Sequence, residues 1–271
     1  MSWRTKSAGL ALTVSLLLPV WFMVAALGVK FGLWPWRFGL GVLIVEWGPR
    51  LLIAAAVIAV VALIAVLARK PRRGWQTALI ALIIPALGLG YLGWIKVQSD
   101  GIPPIHDIST DIVDPPVPSA RLLALRTADE ANPVQDMTAP LTAADAYQGE
   151  GFARFGDKSL GLVGHEAYPG LRTVELAVPP AAAFAAATDA ARGMGWTLVT
   201  EDESSGTLEA TAETFWFGFQ DDVIIRVRPT TDAKRSRIDA RSISRVGLSD
   251  LGANAKRIDV YLARVSAERG S

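Results

Sequence analysis

The sequence predicts a membrane protein with an α+β domain outside the bilayer. Three observations carry this: apolar runs of spanning length confined to the first hundred residues, a charge split along the chain, and an ordered series of strand and helix patterns after residue 170. Residues 1–100 hold ten Lys and Arg against only Glu46 and Asp100, whereas the remainder holds 17 basic and 24 acidic residues. The overall charge of +1 therefore joins an apolar basic part to an acidic polar one, as expected of an anchor and a soluble domain.

The transmembrane region is read as 1–99, with helices at about 8–29, 51–68 and 75–95. At about 1.5 Å of rise per residue, runs of this length cross a hydrocarbon core of roughly 30 Å. Pro19 and Pro85 are compatible with spanning helices, where neighbouring groups satisfy the freed carbonyls. The first run has too long an apolar core for a signal peptide, and no small-x-small cleavage site follows it. Arg4 and Lys6 before the first run, and Arg69, Lys70, Arg72 and Arg73 between the second and third, belong on the cytoplasmic side by the positive-inside rule. Three spans of an inner (plasma) membrane then carry the rest of the chain to its periplasmic or extracytoplasmic face. Between the first two runs, Trp36, Leu40, Leu43, Ile44 and Trp47 share one helical face behind Pro35. They form either an interfacial helix or a prolongation of the second span.

Residues 100–118, rich in Gly, Pro and Asp, read as an extended connector, and 119–271 as the soluble α+β domain. Within it, 119–172 suggest short helices and loops. Val174, Leu176 and Val178 then alternate with polar residues as a half-buried strand. Pro180 opens an Ala-rich helix with Phe184, Ala187, Ala191 and Met194 on one stripe, stopping at Gly195. Strands are expected at 196–200, 207–219, 223–228 and 237–244. Ser249 is expected to cap a last helix, with Asp250 in its first turn and Leu251, Ala255, Ile258, Leu262 and Val265 buried. The order β-α-β-β-β-β-α implies an antiparallel sheet with helices packed on one face, and a long last helix across a curved sheet resembles a helix-grip arrangement.

Several function classes are excluded or left without support. The acidic soluble part has no basic stripe, which argues against nucleic acid as a partner. There is no cysteine, so disulfides, thiolate metal sites and a cysteine nucleophile are absent. With only His106 and His165, no histidine-rich metal site is expected. No phosphate loop, dinucleotide fingerprint or nucleophile elbow points to a cofactor or a reaction.

Four groups could form a site. His106, Asp107 and Asp111 combine an imidazole with carboxylates, the usual acid–base residues, although Asp near proline also bonds its own backbone in turns. Phe215, Trp216, Phe217 and Phe219 put aromatics on both faces of the expected strand, and Trp216 on an open face would meet a ligand or partner. Asp221 and Asp222, read at a hairpin turn, could bind a cation or simply suit the turn. Arg241, Ser244, Arg245, Asp250 and Asn254 gather around a strand end and a helix start, where they could hold an anion or pair with Asp221, Asp222 or Asp250 to fasten strand to helix.

Three stretches carry a family resemblance: PIHDISTD at 104–111, FWFGFQDD at 215–222, and RSISRVG at 241–247 running into SDLGAN at 249–254. Over about 103–266 the chain resembles the bacterial and plastid family catalogued as domain of unknown function 1499, some bacterial members of which have a similar membrane region. The resemblance implies relatives and no activity. The residues favour a membrane-anchored envelope binding or accessory module, in contact with the lipid bilayer, whose outer domain engages an envelope protein or a lipid-like ligand. A hydrolase-like enzyme centred on His106 and nearby carboxylates, and a structural scaffold without a small-molecule site, are the alternatives.

Overall fold

A computed structural model describes residues 2–232 and 234–267. It divides into two compact units. The first ends at Gly101 and also takes in Phe215–Gly218; the second comprises Ile102–Thr214 and the described residues from Phe219.

The first unit contains α1 (Trp3–Lys30), α2 (Trp47–Leu67) and α3 (Trp75–Asp100). All are long and apolar enough to cross a membrane, with mean hydropathy 2.3, 2.9 and 2.1 over their most apolar stretches. Arg37–Glu46 is π-helical and runs unbroken into α2, so residues 35–47 extend the second apolar helix and do not form a separate one. Where the helices meet, small side chains allow close approach, as in the cluster of Ala8, Ala11, Ala59, Ala62, Ala78 and Ala81. The buried Ser15 hydroxyl donates to the Ala81 carbonyl at 2.7 Å. Lys30, at the end of α1, donates to the Phe215 carbonyl at 2.9 Å within the same unit.

The second unit runs β1 (Asp107–Ser109), α4 (Ala120–Ala128), α5 (Glu150–Ala153), α6 (Leu160–Ala167), β2 (Val174–Leu176), α7 (Pro180–Gly193), β3 (Thr197–Asp202), β4 (Thr207–Glu213), β5 (Gln220–Pro229), β6 (Ser236–Ser244) and α8 (Ala253–Ala267). From β2 onward this is the expected β-α-β-β-β-β-α order. The sheet is antiparallel, in the order β1-β6-β5-β4-β3. β2 also pairs with β6, opposite Ser236–Ile238, while β1 lies opposite Arg241–Ile243.

Alternation decides which face is dry. Leu208 and Ala210 of β4, Val223, Ile225 and Val227 of β5, and Ile238 and Ala240 of β6 pack against Phe184, Ala187 and Ala191 of α7 and Ile258, Tyr261, Leu262 and Val265 of α8. Full burial of a side chain such as Ile225 stabilises by about 1.5–3 kcal/mol. Trp196 stacks on Tyr261 with ring centroids 5.1 Å apart. On the opposite face a small apolar contact forms, in which Leu122 of α4 meets Ile224 and Ile243.

Several boundaries differ from the sequence reading. β4 ends at Glu213, and Thr214–Phe219 form a loop, closed where the Thr214 amide donates to the Phe219 carbonyl (2.8 Å) and the Phe219 amide to the Thr214 hydroxyl (2.9 Å). Gly218, at φ +67°, supplies the left-handed turn that a strand cannot accommodate. The aromatic run therefore does not alternate across a sheet, and Asp221 and Asp222 lie inside β5, not in a turn. α8 begins at Ala253, three residues past Asp250, so Ser249 and Asp250 sit before the helix. β1 lies within the stretch read as an extended connector.

The β3–β4 turn brings backbones together: a Cβ on Gly206 (φ +69°) would meet the Val227 carbonyl oxygen at 2.1 Å. Gly206→Ala should destabilise the second unit by at least about 2 kcal/mol, combining left-handed strain with displacement of β5. Thermal unfolding followed by near-ultraviolet circular dichroism would read this as a drop of several degrees; an unchanged midpoint would show that the approach is not as close as described.

Candidate functional site

On the face away from α7 and α8, β5 presents Asp222, Ile224, Arg226 and Arg228, and β6 presents Arg237, Asp239, Arg241 and Ile243. So many charges on one sheet face must be paired or left to water. Both solutions occur, at opposite ends of the strands.

Toward the end of β6 the charges are buried and paired. Asp222 accepts from Arg126 Nη1 at 2.6 Å, from Arg245 Nε and Nη2 at 2.9 and 2.7 Å, and from the Thr211 hydroxyl at 2.8 Å. Arg245 also bonds Asp129, and Arg126 donates to the Asn132 carbonyl at 2.6 Å. Asp107 takes a two-pronged bond from Arg241 Nε and Nη2 at 2.9 and 2.7 Å, while Arg241 reaches the Gln135 carbonyl at 2.6 Å. These bonds fasten α4 and the chain after it to the sheet.

The remaining residues singled out by sequence lie beside this network. Asp221 accepts from Arg257 of α8 at 2.5 Å. Asn254 donates to the His106 carbonyl (3.1 Å) and the Ser244 hydroxyl (2.9 Å) and accepts from the Ser242 hydroxyl (2.7 Å). Asp250 accepts the amides of Gly252 and Asn254, both at 2.8 Å, and so takes the capping place expected for Ser249. Burial pushes the Asp250 carboxyl up, against those amides, which favour its charged form. His106 is 1 % exposed; its Nδ1 lies 2.8 Å from the Tyr147 hydroxyl, and its Nε2 is buried without a hydrogen-bond partner among the described residues. Burial holds this imidazole below its ordinary value even though Asp107 favours its charged form. Trp216 stands apart, in the loop after β4, half exposed and edge-to-face with Phe215 at 5.2 Å.

Toward the start of β6 the same face is uncovered. A groove of about 730 Å³ is lined by Thr110, Asp111, Asp114, His165, Thr173, Arg228 and Arg237, among others. Beneath it Asp239 is fully buried, reached by Arg226 at 3.3 Å, Arg228 at 3.4 Å and Arg237 at 3.3 Å, and it accepts from the Thr173 hydroxyl. Arg237 also bonds Asp111 (2.9 Å), and Arg228 bonds Asp114 (2.6 Å), whose side chain is 62 % exposed. His165 Nε2 lies 3.0 Å from the Ser109 carbonyl; a carbonyl only accepts, so Nε2 carries the proton and Nδ1 keeps its lone pair. Burial lowers the His165 pKa, which favours this neutral form. Of the stretch around His106 singled out by sequence, Thr110 and Asp111 line the groove, whereas His106 and Asp107 do not. The legible signal for the rest was period-two spacing: Arg226 and Arg228 in one strand, Arg237, Asp239 and Arg241 in the next.

A family model described as "Protein of unknown function (DUF1499)" matches residues 107–265, which include the groove, the buried network and the aromatic loop. No curated protein matches the chain.

Asp222→Asn leaves two buried guanidiniums short of a counter-charge, and should cost about 3–5 kcal/mol, measured by chemical denaturation. A loss below about 1 kcal/mol would mean that the pairing is not buried as described. Because burial lowers the pKa of His106 and His165, the unfolded chain binds more protons just below about 6.5. Stability should therefore rise with pH through that interval and be lost as pH falls through it, whereas Asp250, shifted upward, works in the opposite sense from about 4 upward. His106→Gln should flatten the fall in thermal midpoint between neutral and mildly acid pH; an unaltered slope would remove His106 as its source.

Proposed function

The chain belongs to the DUF1499 family, and from the groove within its matched part we propose a membrane-anchored binding module that holds an anionic or zwitterionic group of an envelope component. That group belongs to a lipid-like molecule or to a protein partner, and the groove-bearing unit lies on the non-cytoplasmic side. The cations of Arg69, Lys70, Arg72 and Arg73 in one short loop support that orientation.

The observation that carries the reading is the half-exposed pair Arg228 and Arg237 over a fully buried Asp239. The buried carboxylate orients the guanidiniums from below and leaves donors turned to the groove, and guanidinium is the side chain best matched to carboxylate and phosphate. Asp114 occupies Arg228 from an exposed loop. Exposed ion pairs contribute only about 0.2–1 kcal/mol, so an incoming anion displaces it at small cost. Thr173, whose proton goes to Asp239, and the Nδ1 of His165 add two acceptors at the wall, which suit a donor carried by a zwitterionic group.

Calorimetric titration of the detergent-purified full chain with inorganic phosphate tests this. Removing the competing carboxylate by Asp114→Ala should tighten binding by up to about fivefold. The double change Arg228→Ala with Arg237→Ala should abolish it. Absence of saturable binding in both the unmodified chain and Asp114→Ala would sink the proposal.

A further inference from the structure

The two ends of the sheet differ in chemistry. At one end lie the β3–β4 turn, with Glu203, Ser204 and Ser205, and the β5–β6 turn, with Thr230, Thr231, Asp232, Lys234 and Arg235; among the described residues neither turn has an exposed large apolar side chain. At the other end lie the Thr214–Phe219 loop and the loop between β6 and α8. Here Phe215 is 74 % and Trp216 52 % exposed, and Leu248 and Leu251 are exposed as well. Exposed aromatic and leucine side chains clustered on the loops of one end are the opposite of what water favours.

The chain enters the second unit at this apolar end. β1 opens with Asp107 opposite Ile243, and the amide of Ser244 donates to the His106 carbonyl at 2.9 Å. The spanning helix α3 ends at Asp100, so only residues 101–106 lie between it and β1. Fully extended, that stretch reaches at most about 20 Å, less than the thickness of a bilayer core. The tether thus limits how far the start of β1 can lie from the end of α3. Phe215–Gly218 also groups with the spanning helices and not with the strands on either side of it.

From the tether and the exposed aromatics we infer that Phe215 and Trp216 form a membrane-interface anchor, which docks the aromatic end of the sheet on the headgroup layer of the bilayer that the chain's own helices cross. Aromatic rings with a polar edge partition into that layer, and Trp is favoured there because its indole N–H stays hydrated while the ring is buried. Leu248 and Leu251 extend the apolar footprint from the neighbouring loop. The groove of Arg228 and Arg237 lies toward the polar end, so docking leaves it open to water. The inference does not depend on what the groove binds.

The chain contains no cysteine, so one introduced thiol can be labelled alone. Full-length Trp216→Cys and Ser204→Cys, each carrying an environment-sensitive fluorophore, would be compared in vesicles of phosphatidylcholine and phosphatidylglycerol. Circular dichroism would establish that both variants fold. The probe at 216 should shift to the blue, resist quenching by aqueous iodide and be quenched by nitroxides placed near the headgroups; the probe at 204 should do the reverse. Equal iodide quenching at the two positions would overturn the anchor. So would a probe at 216 that is shielded from iodide yet untouched by lipid nitroxides, which would assign the loop to a protein surface. Loss of phosphate binding at the groove would leave all these readings unchanged.

Discussion

Asp222 lies fully buried between Arg126 and Arg245, and the layout of the second unit follows from the need to keep that carboxylate paired. A sheet with α7 and α8 on one face could have turned the other to water, and alternating polar residues would have sufficed. This sheet instead buries charge at its centre, and only a covering segment can supply the missing guanidinium. Arg126 does so from α4, 96 residues before Asp222 in the chain. The same segment brings the Gln135 carbonyl to Arg241 and places Asp129 beside Arg245. Buried pairs of this kind contribute little net stability against an apolar replacement, but breaking one is costly. They also penalise any slip of β5 against β6, since a one-residue shift would carry Asp222 to the apolar face and Val223 to the charged one.

The buried network and the open groove are one pattern under two kinds of cover. Period-two spacing places Arg228, Arg226 and Asp222 in line along β5, and Arg237, Asp239, Arg241 and then Arg245 along β6 and just beyond. Residues 116–135 cross the sheet only over the later part of β6. There, arginines meet carbonyls and carboxylates and are shut in; past the edge of the cover, Arg228 and Arg237 have the same chemistry and are half exposed. Availability, and not residue type, separates the enclosed arginines from those open to the groove.

That distinction is also where the sequence stopped being legible. Apolar length found the spanning helices, and alternation found β3 to β6 and the stripes of α7 and α8, because those signals are local and periodic; Leu251, read as the first residue of the α8 stripe, instead lies exposed before the helix. The run Phe215-Trp216-Phe217 reads as strand by composition, and only the positive φ of Gly218 and a bond across Thr214 and Phe219 turn it into a loop. β1 has three residues between Pro104 and Pro115, too short for any period to declare itself. Arg241 and Arg245 stood out because they cluster with other polar residues in sequence. Arg228 and Arg237 did not, since their partners Asp111, Asp114 and Asp239 converge only once β1, β5 and β6 are side by side.

The pairing of β1 with β6 has a further consequence, for the order of events at the ribosome. Asp107 is made soon after the last spanning helix, yet its partner Arg241 follows 134 residues later. Until β6 emerges, the first strand, the carboxylate of Asp107 and the edge of the future sheet remain unmatched, on a chain already tethered by its helices. Non-local closure of this kind is slow, because loop entropy must be overcome before the contacts form. Attachment to the membrane thus precedes folding of the second unit, and the nascent segment between β1 and β6 is the stretch on which a chaperone or a protease would first act.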